Sequence, residues 1–147
     1  MSKNTKIIRA LWFPLSCGLL VIILFQFVFM IGHVPSTSME PTIGKGSYII
    51  GFRIHGELRR GDIVVFTKDG KTLVKRIAAV PGDIVCISES ALVTVNIELD
   101  NSSATFFTVP DGFLFLLGDN PEESIDSRSW EEPFVSYEDV LAKLLFR

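Results

Sequence analysis

Ser38 and Lys75 are the residues of this chain whose types could form a nucleophile and its base. Ser38 lies in Pro35-Ser36-Thr37-Ser38-Met39-Glu40-Pro41-Thr42, and Lys75 in Leu73-Val74-Lys75-Arg76-Ile77. A serine hydroxyl attacks a carbonyl effectively only when a base removes its proton, and lysine fills that role in one variant of the triad logic. The lysine must then be neutral near physiological pH, which requires a pKa tuned down to about 7–8. Residues 72–80 alternate as a strand does, so Leu73, Lys75 and Ile77 share one face, with Val74 and Arg76 on the other. An ammonium among large aliphatics is poorly solvated, which favours the neutral amine. A second reading stands beside this one on periodicity alone: a lysine on an edge strand that runs its stem along apolar surface to water. Ser38 is equally open, because a Ser/Thr-rich stretch also makes an ordinary polar loop. His33, at the end of an apolar run, and His55, in a turn beside Gly56, read as structural or incidental.

Further polar blocks accompany these two. Gly61-Asp62-Ile63-Val64-Val65-Phe66 precedes Lys75, and Val80-Pro81-Gly82-Asp83 follows it. Gly118-Asp119-Asn120 and Ser124-Ile125-Asp126-Ser127-Arg128 come later in the chain. No zinc-type spacing of Cys and His is present, and the chemistry of a serine and its base calls for no metal or cofactor.

The elements that must position these residues fall into three segments. Residues 1–10 hold Lys3, Lys6 and Arg9, and none of the 17 acidic residues of the chain. Residues 11–31 are uncharged and, at about 1.5 Å per residue, would reach roughly 31 Å as a helix, the thickness of a bilayer core. Pro14 falls in the first turn of such a helix and Trp12 near one interface. We therefore expect a cytoplasmic N-terminus (1–10), a transmembrane helix (11–32) and an extracytoplasmic domain (33–147). The span is expected to be an uncleaved anchor, since a signal-peptide core runs only about 7–15 residues. Ser38 then lies within roughly 25 Å of the membrane end of the chain, even fully extended. This places the protein in the plasma membrane, with the lipid bilayer as a partner and the folded domain on the outer face. The acidic balance of residues 34–147 argues against nucleic acid as a partner. Cys17 lies in the apolar run and Cys86 in the polar domain, so a disulfide between them is not expected.

Beyond residue 33 the pattern is short and β-rich. Strands are expected at 47–52, 62–66, 72–80, 83–88, 91–99, 104–109 and 112–117, with 140–146 of either type. Arg60-Gly61, Lys68-Asp69-Gly70, Pro81-Gly82-Asp83, Asp100-Asn101 and Pro110-Asp111-Gly112 supply turns between them. The expected fold is mainly β, an antiparallel sheet or barrel-like domain behind one N-terminal transmembrane helix.

Taken in order, these blocks resemble bacterial type I signal peptidase, the leader peptidase of the serine-lysine class. The Ser38 block resembles its P-S-x-S-M-x-P-T motif, and residues 61–66 its G-D-I-V-V-F strand. Lys75-Arg76 with Pro81-Gly82-Asp83 resembles V-K-R-x-x-x-x-P-G-D, and residues 118–128 resemble G-D-N-x-x-x-S-x-D-S-R. The resemblance implies an endopeptidase that removes signal peptides from exported preproteins, with Ser38 as nucleophile and Lys75 as base. It implies an oxyanion hole made by the Ser38 N–H and the Ser36 hydroxyl, and a Ser124 that orients the base. Asp119, Asp126, Arg76 and Arg128 match residues that hold the site together by ion pairs, and Met39 a packing position beside the nucleophile. A lysine base points to the bacterial type, since the endoplasmic-reticulum relatives carry histidine there. Three departures stand out: Thr37 where glycine is common, Pro121-Glu122-Glu123 before Ser124, and a glycine-free stretch at 129–133. The resemblance leaves two rival readings, a maturation peptidase dedicated to one substrate such as a pilin-like subunit, and a non-catalytic assembly factor. It does not fix the oligomeric state.

Overall fold

The computed structural model describes residues 3–88, 92–96 and 105–145, and side chains from residue 12 onward. Helix α1 (Lys3–Val28) is followed without a break by strand β1 (Phe29–His33). The expected span of 11–32 is thus divided: its last residues are strand, not helix. Among the described residues no helix is long and apolar enough to cross a membrane. The reason for the division lies in β2 (Tyr48–Phe52), which pairs antiparallel with β1 from Phe29↔Phe52 to His33↔Tyr48. Phe29 stacks on Phe25 at 4.4 Å between ring centroids and meets Phe52 at 4.8 Å. An apolar run offers no periodicity that separates a buried strand from a helix, so only the pairing partner decides.

The remaining strands are β3 (Ile63–Lys68), β4 (Lys71–Ala79), β5 (Ile84–Ile87), β6 (Val93–Val95), β7 (Thr105–Thr108), β8 (Phe113–Leu117), β9 (Phe134–Ser136) and β10 (Val140–Leu144). Seven form one sheet in the order β1-β2-β10-β3-β4-β8-β9, and β6-β5-β7 form a second. All pairings are antiparallel. The mainly β, antiparallel expectation therefore holds. The barrel-like form does not, because among the described residues β1 and β9 are free edges of an open sheet. Residue 91 and residues 97–104, which include part of two expected strands and the Asp100-Asn101 turn, lie outside the described residues. Strand β9 was not expected: it is three residues long and follows Pro133, too short for alternation to register.

Turn chemistry sets the register around Lys75. Gly82 adopts φ +83°, a conformation that favours glycine. The carboxylate of Asp83 then closes the turn by accepting the Val80 N–H at 2.9 Å, while pairing with Arg60. Buried Asp62, just before β3, accepts from the Arg59 N–H at 2.9 Å and from Lys143 of β10 at 2.6 Å. These ties anchor the start of β3 and the end of β4, the open end of the hairpin that carries Lys75. Cys17 and Cys86 are both free, the first exposed and the second buried in β5.

Candidate active site

Between β1 and β2 the chain makes a loop that carries Ser36 and Ser38. Its base is closed by Val34 N–H to Ser47 O at 2.9 Å and Gly46 N–H to Val34 O at 2.7 Å. Val34, Met39 and Ile43 point inward and pack with Ile49, Ile63 and Val65. Burying each such side chain contributes about 1.5–3 kcal/mol, so packing rather than regular secondary structure fastens this loop. Met39, next to Ser38 in the chain, is fully buried. The Ser38 side chain is left near the surface of the core, with 7 % of the residue exposed. Its Oγ lies 3.2 Å from the Ser36 Oγ.

Lys75 comes from the middle of β4 and is 3 % exposed, so the snorkelling alternative is excluded. Its Nζ donates to the Ser124 Oγ at 2.9 Å. Ser124 in turn donates to Asp126 Oδ2 at 2.6 Å. With its proton committed to a carboxylate, Ser124 can only accept from Lys75, which fixes one direction at the amine. Asp126 is fully buried and also accepts from the Gly118 N–H at 2.9 Å and from Arg128 at 2.8 and 2.7 Å. Such a two-point guanidinium–carboxylate pair holds orientation as well as charge. Burial pushes the Asp126 carboxyl up, but the hydrogen bonds from Arg128, Gly118 and Ser124 together hold it below the usual carboxylate range.

For Lys75 the balance runs the other way. Burial lowers its pKa, the Asp126 charge raises it, Arg128 lowers it and Asp119 raises it, and the outcome is a lowered value. Desolvation therefore favours the neutral amine, as a base requires. Arg76, pointing to the opposite face of β4, pairs with Asp119 at 2.8 and 2.6 Å and donates to Gly61 O at 2.8 Å. It also reaches Thr42 Oγ1 at 3.3 Å, so this ion pair ties the β3–β4 hairpin to the end of the serine loop. Burial raises the Asp119 pKa, but Arg76 and Thr42 outweigh it and the carboxyl stays below its ordinary range.

Ser36, Ser38 and Lys75 line one cavity of about 370 Å³, whose other walls include Met30, Val34, Met39, Ile49, Val65, Leu73 and Val74. His33 also lines it, with its ring 5.3 Å from that of Tyr48. Among the described residues no hydrogen bond links Ser38 Oγ directly to Lys75 Nζ; the two are joined by the space between them. The candidate site residues thus fall into three that line the cavity (Ser36, Ser38, Lys75), a chain of hydrogen bonds behind Lys75 (Ser124, Asp126, Arg128) and a separate ion pair (Arg76, Asp119). Among the described residues no cluster of His, Cys, Asp and Glu is arranged to hold a metal ion.

Two further residues touch the candidate site, although the sequence assigns neither a role: both stand inside the Gly118-Asp119-Asn120 block. Asn120 bonds the serine loop at two points, by its N–H to Ser38 O at 3.0 Å and its Nδ2 to Thr37 O at 3.2 Å. Gly118 lies where any Cβ would overlap the Ser124 hydroxyl and the Ser38 carbonyl. A Gly118→Ala substitution is therefore expected to push Ser124 and the Ser38 loop apart. Overpacking of this kind costs about 1–3 kcal/mol of stability, and a misplacement near 1 Å can cost about 100-fold in rate. Thermal unfolding and turnover of that variant measure the two effects separately.

Comparison with known proteins gives a consistent picture. The model of the family described as signal peptidase, peptidase S26, matches residues 7–103 and 94–147. A signal peptidase I of Bacillus caldolyticus is 32 % identical over 162 residues, covering 92 % of this chain and 87 % of the relative. A signal peptidase I of Bacillus licheniformis is 31 % identical over 134 residues, covering 75 % of this chain and 72 % of the relative. The thylakoidal processing peptidase 1 of Arabidopsis thaliana is 28 % identical over 138 residues, and the chain spans 40 % of its length.

Proposed function

This chain belongs to the signal peptidase family, peptidase S26, and on that premise we propose that it is a serine endopeptidase that removes N-terminal signal peptides from exported preproteins, using Ser38 and Lys75. The observation that supports this most is a buried lysine, held by Ser124, lining the same cavity as Ser38 and Ser36. In this mechanism neutral Lys75 takes the Ser38 proton as Oγ attacks the scissile carbonyl. The oxyanion that forms is stabilised by the Ser38 N–H and the Ser36 hydroxyl, donors of a kind worth about 3–4 kcal/mol of barrier. Protonated Lys75 passes its proton to the leaving amine. It then deprotonates the water that hydrolyses the ester on Ser38, restoring both groups. Asp126, Arg128, Arg76 and Asp119 touch no reacting atom and serve to position those that do. The apolar walls of the cavity suit small uncharged side chains of an extended substrate.

Helix α1 is proposed as the single membrane anchor, with the N-terminus cytoplasmic and the β domain at the outer face of the plasma membrane. Its described side chains favour this: Trp12, Phe13, Leu15 and Phe27 are more than two-thirds exposed, an arrangement unfavourable in water but suited to lipid. The lipid bilayer and preprotein signal peptides are then its partners. The direct test is incubation of the purified chain, in detergent or vesicles, with a preprotein of known signal peptide. A single cut at the end of the signal peptide is expected, and an intact preprotein would contradict the proposal.

A further inference from the structure

We infer that Asn120 is a positioning residue for the oxyanion hole, acting through the peptide bond between Thr37 and Ser38. A peptide unit is planar and trans, so the Thr37 carbonyl and the Ser38 N–H point in opposite directions along one rigid plane. Whatever holds the oxygen therefore aims the N–H. The Thr37 oxygen accepts from Asn120 Nδ2 at 3.2 Å and from the Glu40 N–H at 3.0 Å. The next carbonyl, that of Ser38, accepts the Asn120 N–H at 3.0 Å. Asn120 thus fixes the peptide planes on both sides of the Ser38 Cα.

The local turn supplies one of these bonds and would form without Asn120. A single bond to the oxygen leaves the plane free to rock about it; a second, from another segment of the chain, removes that freedom. Among the described residues no protein acceptor takes the Ser38 N–H, which leaves it available to a substrate oxygen. Donation to the carbonyl also polarises the amide and strengthens its N–H as a donor. The segment that supplies Asn120 is itself anchored, since Asp119 pairs with Arg76 and the Gly118 N–H bonds Asp126. The sequence departs here too: Thr37 stands where the resemblance has glycine, and it is the Thr37 carbonyl that Asn120 holds.

The inference rests on the proposal that the Ser38 N–H faces the oxyanion. The test compares Asn120→Ala and Asn120→Asp with the wild type, measuring kcat, KM, the pH profile and thermal unfolding on a signal-peptide substrate. Both variants keep the backbone N–H bond to Ser38. Alanine only removes the second donor, whereas aspartate fills the same space and turns a carboxylate oxygen toward the Thr37 carbonyl. A role in orienting the peptide plane gives a kcat loss of about 10-fold for alanine and about 10- to 100-fold for aspartate, below the loss for deleting an oxyanion donor outright. KM and the acid limb of the pH profile are expected to stay unchanged. A role in filling space reverses the order, with the near-isosteric aspartate milder than alanine. That order, a change confined to KM, or an Asn120→Asp chain that no longer folds would each overturn the inference. A wild type that leaves the substrate uncut would instead overturn the proposed function, and this inference with it.

Discussion

Replacing Ser38 by alanine is expected to lower kcat at least about 10⁴-fold, the scale seen when a nucleophile is deleted from a serine protease site. The fold should survive, because the loop is fastened by Val34, Met39 and Ile43 rather than by the Ser38 hydroxyl. Among the described residues that hydroxyl has one protein partner, the Ser36 Oγ at 3.2 Å. Losing one partly exposed hydrogen bond costs about 1 kcal/mol, so a Tm change of only a few degrees is expected. Ser36 is not expected to rescue the variant, because its proposed place is on the oxyanion. Turnover and thermal unfolding of Ser38→Ala separate these effects, and a cleavage rate within 10-fold of the wild type would contradict the assignment.

The second large effect concerns Lys75, and it has two opposite signs. Lys75→Met is expected to abolish cleavage to a similar extent while stabilising the fold near neutral pH. A lysine whose pKa is lowered on folding must be deprotonated, or kept charged unfavourably, in the native state. The unfolded chain then binds more protons between the lowered pKa and the ordinary one, so stability rises with pH across that window and is reduced below it. Methionine fills the same space without a charge to desolvate, so its Tm should exceed that of the wild type at pH 7 and lose that pH dependence. Activity follows the same titration: it should rise with pH as Lys75 becomes neutral, with a limb below the ordinary lysine pKa. The neighbouring charges give a further sign. Asp126 raises the Lys75 pKa and Arg128 lowers it. Asp126→Asn removes the first and leaves the second unpaired, so both changes move the limb to lower pH, even as kcat falls through the loss of Ser124 orientation. A limb that moves upward in Asp126→Asn would contradict Lys75 as the titrating base.

Much of the fold and the site was legible in the residues, but unevenly. Alternation over 72–80 placed Lys75 on an apolar face, and the structure buries it, in a cavity that Leu73 also lines. The turns at Lys68-Asp69-Gly70 and Pro81-Gly82-Asp83 were legible because each demands glycine at positive φ, and Gly70 and Gly82 adopt it. The start of β1 was not legible, because Phe29 and Ile31 continue an apolar run that reads as one helix. Only the cross-strand partners Phe52 and Ile50, some twenty residues on, reveal the change. The two hydrogen bonds of Asn120 were hidden for a similar reason. They join residues 83 apart or nearly so, a contact that no local pattern encodes. Conversely, the atypical Pro121-Glu122-Glu123 stretch leaves its neighbour Ser124 undisturbed, still bridging Lys75 and Asp126.

The central claim is that Lys75 activates Ser38 for attack, and the ester that this attack forms is the most direct sign of it. Rapid acid quenching of the enzyme with a signal-peptide substrate, followed by peptide mapping by mass spectrometry, detects that ester and locates it. The expected result is the signal-peptide fragment attached to the segment containing Ser38, absent when Lys75 is replaced by methionine. An ester found on Ser36 or Ser124, or one that forms on Ser38 as quickly without Lys75, would contradict the account.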